Sequence, residues 1–170
     1  PRLLYGTLRE NMDLGRMERD DGLHYFAVAC GAGYDARVMA ETTALDKHRW
    51  RLGAYLATTF RLMPELRMTT HLITVDGVEY EARAALVLVA NCGEVIPPIM
   101  KLRRGIAPDD GLLDVVVVRA ENLSDSMRVI WELLRGGGDI QGGSGRIQYA
   151  QGRRIRVETH PVEPVQLDGE

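Results

Sequence analysis

Short runs of apolar, β-favouring residues, separated by glycines and acidic turns, make up most of the chain, and this pattern predicts strands. The second and third runs flank Asp76-Gly77, a two-residue turn of the kind that a type I′ hairpin requires. The third run ends in AALVLVAN, a continuous apolar stretch that is typical of a strand covered on both faces. The predicted strands are Leu23–Cys30, Met68–Val75, Val78–Asn91, Leu113–Arg119, Arg146–Ala150, Arg153–Thr159 and Pro164–Glu170.

Three segments have helical spacing instead: Tyr34 to about Thr43, Arg51 to about Met63, and Asn122–Arg135. In the third, Asn122 is a good N-cap and Asp125 stands at the third helical position, which makes a capping-box-like pair. Because strands are in the majority, we predict a mainly β fold with helices (α+β). The expected architecture is a two-sheet antiparallel β-sandwich with the helices at its edge.

Composition and charge narrow the classes of function. The 170 residues suit one domain, and the 45% hydrophobic content is ordinary for a globular core. A net charge of -3 argues against a nucleic-acid binder, which usually has a basic excess. Cys30 and Cys92 lie in apolar surroundings, which favours buried thiols in a reducing cytoplasm over a disulfide or a metal site. Since the chain begins with Pro1 and stops at Glu170, directly after a strand-like segment, we expect a piece of a longer protein.

The stretch Ile106–Val118 joins an acidic turn, Asp109-Asp110-Gly111, to an almost wholly apolar strand. Such a turn can bind a hard cation through a carboxylate and backbone carbonyls. It can equally be a plain turn whose aspartate caps its own backbone, and the residues alone favour this second interpretation.

Two further stretches carry weaker signals. The glycines of Gly31–Ala36, GAGYDA, precede a predicted helix that Asp35 could cap, and such a pair can receive a phosphate. The loop Asn91–Gly105 combines apolar residues with Lys101, Arg103 and Arg104, which suits either contact with a membrane or packing on the sheet. Packing is the favoured interpretation for most of its apolar residues.

Four stretches occur together in one order: GAGYDA at Gly31–Ala36, VLVAN at Val87–Asn91, APDDGLLDVVVV at Ala107–Val118 and LDGE at Leu167–Glu170. As a set they resemble the C-terminal domain of the diacylglycerol kinase and sphingosine kinase family, in its bacterial lipid-kinase branch. The resemblance covers nearly all of the chain from about Asp13 onward.

That resemblance implies a protein of two domains. An N-terminal α/β domain carries a Gly-Gly-Asp-Gly nucleotide motif, and a C-terminal β-sandwich domain closes the cleft. Residues 1–170 correspond to the C-terminal domain, and they contain no Gly-Gly-Asp-Gly. We therefore expect the main nucleotide-binding domain to lie outside this chain, and the chain to be inactive alone.

The resemblance also implies roles for individual residues. Glu170 matches the acidic residue taken as the general base, which accepts a proton from the lipid hydroxyl as that oxygen attacks the γ-phosphate of ATP. Asp110 matches a ligand of a structural magnesium ion, with the backbone carbonyls of Ala107 and Leu112 completing its protein ligands.

Three other residues are candidates for the nucleotide side of the cleft: Gly33, Asp35 and Asp168. The family often has a glycine-rich loop where this chain has Cys92, Glu94 and Ile96–Lys101. That departure leaves the lipid specificity open, because this loop is a candidate to set it.

The favoured function is therefore ATP-dependent phosphorylation of a lipid hydroxyl, with diacylglycerol the first expected acceptor and a sphingoid base the next. A second hypothesis is a non-catalytic module that binds lipid or a partner and regulates. A third is a relative of NAD kinase, which shares the two-domain plan. The expected cofactors are ATP and magnesium, and the expected partners are a membrane lipid and the protein's own N-terminal domain, with a homodimer left open. The expected location is the cytoplasm, with transient contact at the inner face of the membrane.

Overall fold

The computed structural model describes residues 11–33, 67–96, 100–102, 105–135 and 145–168. The predicted helices at 34–43 and 51–63 lie outside these ranges, as do Asp35 and Glu170. The described elements are β1 (Gly15–Arg19), β2 (Gly22–Phe26), β3 (Ala29–Gly33), β4 (Thr69–Val75), β5 (Val78–Ala84), β6 (Leu86–Ala90), β7 (Glu94–Ile96), β8 (Met100–Lys101), β9 (Leu113–Val118), α1 (Leu123–Leu134), β10 (Ile147–Gly152), β11 (Ile155–His160) and β12 (Val165–Leu167).

A five-stranded antiparallel sheet in the order β10-β9-β6-β3-β12 forms the centre of the fold. Two of its three inner strands, β6 and β9, are buried on both faces, as the continuous apolar runs predict. On one face Leu88 and Val116 pack with Val129 of α1. On the other face Val87 packs with Ile73 of β4. Each fully buried valine of these strands contributes about 1.5–3 kcal/mol through removal from water.

A three-stranded antiparallel sheet in the order β11-β4-β5 shares this second cluster with the central sheet. Its predicted hairpin is confirmed, because Val75 pairs with Val78 across Asp76 and Gly77. The φ angles of Asp76 and Gly77 are 48° and 88°, and a type I′ turn needs positive φ at both positions.

Helix α1 also follows its prediction. The side-chain Oδ1 of Asn122 accepts the N–H of Asp125 at 2.9 Å, which satisfies one of the free donors at the helix N-terminus. Arg146 then pairs with Asp125 at 2.8 Å, so the start of the helix is attached to the strand β10 side of the sheet. No helix in the described part of the chain is long and apolar enough to cross a bilayer.

Three predicted segments divide into elements differently in the structure. Leu23–Cys30 is two strands, because the chain leaves the β1-β2 sheet and joins the central sheet at Ala27 and Val28. Val78–Asn91 is also two strands, since the chain passes between the two larger sheets at Ala85. The loop Asn91–Gly105 contains the small β7-β8 hairpin.

The described residues are therefore predominantly β, arranged in four antiparallel sheets of a β-sandwich-like kind. The two small sheets, β1-β2 and β7-β8, are additions to the two-sheet plan of the sequence prediction. In the central sheet, Leu167 pairs with Cys30, Ala29 pairs with Ala90, and Ala90 pairs with Asp114.

This register brings four separate segments to one end of the sheet. They are Ala27–Val28 before β3, Asn91–Cys92 after β6, Asp110–Leu112 before β9, and Asp168 after β12. We call these residues the acidic edge.

Candidate functional site

Asp168 is fixed at the acidic edge by backbone groups from far back in the chain. Its Oδ2 accepts the N–H of Ala27 at 2.7 Å, and its Oδ1 accepts those of Val28 and Ala29 at 2.8 and 2.9 Å. Its own N–H donates to the carbonyl of Ala29 at 2.9 Å. The break between β2 and β3 leaves these N–H groups facing the corner, and hydrogen bonds to an ionised carboxylate are among the strong ones. The corner that precedes Gly169-Glu170 is therefore firmly positioned.

Asn91 holds the same segment from the other side. Its buried Nδ2 donates to the carbonyl of Ala27 at 2.9 Å and to the carbonyl of Asp13 at 2.8 Å. Its backbone N–H donates to the carbonyl of Val28 at 2.9 Å. The Oδ1 of Asn91 is buried and has no hydrogen-bond partner within the described ranges.

The acidic turn joins this arrangement through Asp13. The N–H of Gly111 donates to Oδ2 of Asp13 at 2.6 Å, and the N–H of Asp13 donates to the carbonyl of Pro108 at 2.7 Å. Gly111 has a φ of 72°, a conformation that glycine adopts without strain. The two acidic corners are thus linked by successive contacts from Gly111 through Asp13, Asn91 and Ala27 to Asp168.

Asp110 caps its own turn in this structure. Its Oδ1 accepts the N–H of Leu112 at 2.9 Å, and its Oδ2 lies 3.3 Å from Nε2 of Gln151. The same Nε2 lies 3.3 Å from Oδ2 of the buried Asp114. These contacts are those of the plain turn that the residues alone favour.

A cation at this turn would be coordinated by few side chains. Among the described residues there is no group of three or more His, Cys, Asp or Glu side chains that could hold a metal ion. One exposed carboxylate, that of Asp110, is combined with the backbone carbonyls of Ala107 and Leu112 in the predicted ligand set. An oxygen-only set of this kind fits magnesium, which usually keeps several waters and takes only one or two carboxylates.

Cys92 lies at the acidic edge but lacks the character of a nucleophile. Burial raises the pKa of its thiol, and the negative charge of Asp168 raises it further. A thiol with a raised pKa stays protonated at neutral pH, and the thiolate is the reactive form. No disulfide joins Cys92 to Cys30.

A cavity of about 950 Å³ lies beside the acidic edge. Gly111 and Leu112 of the acidic edge form part of its wall, together with Asp13. Apolar side chains line another part, among them Phe26, Val87, Val89 and Val165. Charged side chains of both signs line the rest, with the arginines Arg16, Arg153, Arg154 and Arg156 beside the acidic Glu18, Asp20 and Glu163. Apolar walls with a few placed polar groups are the usual composition of a small-molecule site.

Gly33 is not brought to the acidic edge. It ends β3, whereas the edge is at the opposite end, before Ala29. Its φ is 95°, and a Cβ on Gly33 would lie 2.8 Å from the carbonyl oxygen of Ala85, so backbone packing alone accounts for a glycine here. Its proposed contact with nucleotide stays a prediction, as do the roles of Asp35 and Glu170, which lie outside the described residues.

The structure adds three residues that sequence reasoning did not select for a role: Asp13, Asn91 and Gln151. Asn91 closes the VLVAN stretch, so its place at a strand end was the available signal. No local sequence signal indicates a role for Asp13 or Gln151, because their hydrogen-bond partners are distant in the sequence.

Comparison with known proteins agrees with the β-sandwich-like fold described above. Residues 28–170 match the family model described as the YegS C-terminal NAD kinase beta sandwich-like domain. A curated Bacillus subtilis (strain 168) protein named diacylglycerol kinase is 28% identical over 146 residues, which is 86% of this chain and 47% of that protein. The chain thus spans about half the length of this curated relative.

Solved structures are similar over the same region. A protein from Bacillus anthracis str. Sterne assigned as a diacylglycerol kinase is 28% identical, with a TM-score of 0.65 over 86% of this chain and 47% of that one. A second B. anthracis str. Sterne structure, named as a diacylglycerol kinase, has a TM-score of 0.56 at 20% identity, over 85% of this chain and 43% of that one. This second likeness is one of fold alone.

Proposed function

The chain belongs to the family of YegS C-terminal NAD kinase beta sandwich-like domains, and from that premise we propose that it is a domain of an ATP-dependent lipid kinase. Relatives named diacylglycerol kinase support a kinase family, and diacylglycerol is the first acceptor to test. In this proposal the five- and three-stranded sheets form the sandwich, and a nucleotide-binding domain outside the chain supplies the other wall of the cleft.

The observation that carries the proposal is the acidic edge itself. Asp168, two residues before Glu170 in the sequence, accepts hydrogen bonds from three backbone N–H groups. The second acidic corner is linked to it through Asp13 and Asn91. The adjacent cavity, with its apolar side chains and its charged side chains of both signs, suits a lipid that carries a polar head.

In the proposed reaction Glu170 accepts the proton of the lipid hydroxyl. The freed oxygen attacks the γ-phosphorus of ATP, the bond between that phosphorus and the β,γ-bridging oxygen breaks, and ADP leaves. Phosphoryl transfer depends mainly on positioning and on neutralisation of charge, so a rigidly held corner is what the chain's own residues contribute. A magnesium ion held by Asp110 and the carbonyls of Ala107 and Leu112 would be structural and would stabilise the acidic turn, whereas the catalytic magnesium would arrive with ATP.

We expect Glu170→Gln to lower turnover by about 10²–10⁴-fold, the usual contribution of a general base, without loss of fold. The assay uses the natural full-length polypeptide that contains this chain, labelled ATP, and a panel of diacylglycerol and sphingoid acceptors. Glu121→Gln is the matched control, because Glu121 is an exposed residue beyond the opposite end of β9. Near wild-type phosphorylation by the Glu170 variant would refute the base assignment.

A non-catalytic lipid-binding module is the second candidate, and one observation favours it. The carboxylates of Asp110 and Asp168 both have backbone partners within the domain, as purely structural turns do. If the wild-type protein binds lipid vesicles but transfers no phosphate to any acceptor in the panel, this second candidate replaces the first.

A further inference from the structure

Asn91 lies between the two acidic corners and contacts a segment attached to each of them. Its side chain has no exposed surface, and its amide nitrogen donates to carbonyls from two segments that are separate in sequence. One of these is the carbonyl of Asp13, whose carboxylate receives the N–H of Gly111. The other is the carbonyl of Ala27, whose N–H is bound by Asp168.

The segment Ala27–Ala29 is therefore held from both sides. The carboxylate of Asp168 accepts the N–H groups of this segment. Asn91 donates to its carbonyls, with Nδ2 bonded to that of Ala27 and the backbone N–H bonded to that of Val28. The N–H of Cys92 adds a bond of 3.1 Å to the same carbonyl of Val28. A short segment with donors on one side and acceptors on the other has little freedom to shift, so it sets the place of the Asp168 carboxylate.

No other side-chain type of this size provides the same contacts. An aspartate would present oxygen to two carbonyl oxygens, and a leucine would leave both carbonyls without this donor in a buried place. The two N–H bonds of a primary amide match the two carbonyls, at 2.8 and 2.9 Å.

We propose that Asn91 is a positioning residue: its buried amide fixes the Ala27–Ala29 segment and, through it, the corner at Asp168, which precedes Gly169-Glu170 in the sequence. The same amide fixes Asp13 and hence the turn at Gly111. Its consequence for catalysis rests on the proposed lipid-kinase function, whereas its hold on the corner does not.

The structural part is tested by hydrogen exchange in the natural full-length polypeptide. In Asn91→Ala we expect the amides of Ala27, Val28, Ala29 and Gly111 to exchange faster than in the wild type. Val118→Ala is the matched control, because Val118 is buried at the far end of β9 and its truncation loosens the core without touching this arrangement. Equal exchange at these four amides in both variants, at equal loss of melting temperature, would overturn the proposal.

The catalytic part is tested by kinetics with the same two variants. We expect Asn91→Ala to lower kcat by about 10²-fold, the order of loss expected from a misplacement of about 1 Å, with the KM for ATP little changed. In a Glu170→Gln background the same substitution should cause no further loss, because the residue acts through the corner. A loss no larger than that of Val118→Ala, or a full additional loss in the Glu170→Gln background, would refute this part.

Asn91→Asp keeps the size of the side chain and removes the donors, so it should reproduce both effects of Asn91→Ala. Wild-type behaviour of this variant in exchange and in turnover would overturn the role of the amide. If the wild type phosphorylates no lipid at all, the proposed function fails, and the exchange experiment still decides whether Asn91 holds the corner.

Discussion

His71 shows how burial decides the charge of a single residue. Its ring has no exposed surface, and Nε2 lies 2.9 Å from Oγ1 of Thr69 and 3.3 Å from the carbonyl oxygen of Ala84. Burial lowers the pKa of this imidazole, and the Ala84 carbonyl and the charge of Glu163 offset the shift only in part. The folded state therefore favours the neutral ring.

This shift predicts a dependence of stability on pH. The unfolded chain protonates His71 near the ordinary histidine pKa of 6.5, whereas the folded chain does so only at lower pH. As pH falls from above 6.5 toward the folded pKa, the unfolded state binds more protons, so the free energy of unfolding falls, by at most about 1.4 kcal/mol per pH unit. Urea titrations of the wild type and His71→Gln across this window should show the slope reduced in the variant.

The exposed His160 offers the control for that experiment. His160→Gln should leave the wild-type slope in place. If His71→Gln and the wild type lose stability in parallel as pH falls from about one unit above the ordinary histidine pKa to about one unit below it, another group is responsible and the role given to His71 is wrong.

At the scale of residues, local chemistry was predictable and distant chemistry was not. Asp76-Gly77 and the Asn122 cap depend on neighbours within three residues, and the structure confirms both. Asn91 and Asp13 are 78 residues apart, so no local pattern indicates that one side chain donates to the other residue's carbonyl.

At the scale of elements, the sequence did not indicate that the chain passes from the three-stranded sheet to the five-stranded sheet at Ala85. The chain continues without a turn signal through β5, Ala85 and β6, and nothing in it marks where pairing passes from β4 to β3. The N–H of Ala85 instead donates to the carbonyl of Val118, and its own carbonyl lies against Gly33. Hydrophobic patterning indicates that a strand is buried, but the partner strand is chosen by the rest of the fold.

This crossing predicts a strong effect of Gly33→Ala. The added Cβ would be 2.8 Å from the carbonyl oxygen of Ala85 and would sit at a φ of 95°, so both crowding and backbone strain apply. We expect the free energy of unfolding to fall by about 2–5 kcal/mol, as the sum of the usual costs of left-handed backbone and of overpacking. Chemical denaturation measures the loss.

Gly77→Ala separates the two causes. Gly77 has a φ of 88° with no atom within 4 Å of the added Cβ, so only the backbone cost of about 1–2 kcal/mol should be measured. If the two alanine variants are equally stable, crowding at Ala85 has no measurable cost and the packing argument for Gly33 fails.

At the scale of the whole molecule, the central sheet gathers chemistry from segments that are far apart in the sequence. The apolar strands were predictable, and with them the mainly β character of the fold. The meeting of the two acidic corners follows from strand order and register, which depend on all pairings at once. Sequence motifs therefore indicated the corners, and the structure supplies the contacts between them.

The proposed magnesium ion gives a test at this scale. If Asp110 and the carbonyls of Ala107 and Leu112 hold the ion, magnesium at about a hundred times its Kd should stabilise the protein by about 2.7 kcal/mol. Asp110→Asn should remove most of this gain, which thermal unfolding with and without magnesium measures. Asp109→Asn, which changes the neighbouring exposed carboxylate, should retain it. The same melting temperatures in all three proteins, with and without the ion, would argue against a site at this turn.

The bonds from Asp168 to Ala27, Val28 and Ala29 span 141, 140 and 139 residues. On a ribosome, which adds residues one at a time, β3 can pair with β6 early, but its other edge and the N–H groups of Ala27 to Ala29 lack their partners until β12 and Asp168 have been made. Contacts of such large sequence separation slow folding and prolong the exposure of unpaired strands. Nascent chains of this domain should accordingly depend on chaperones until Asp168 has emerged.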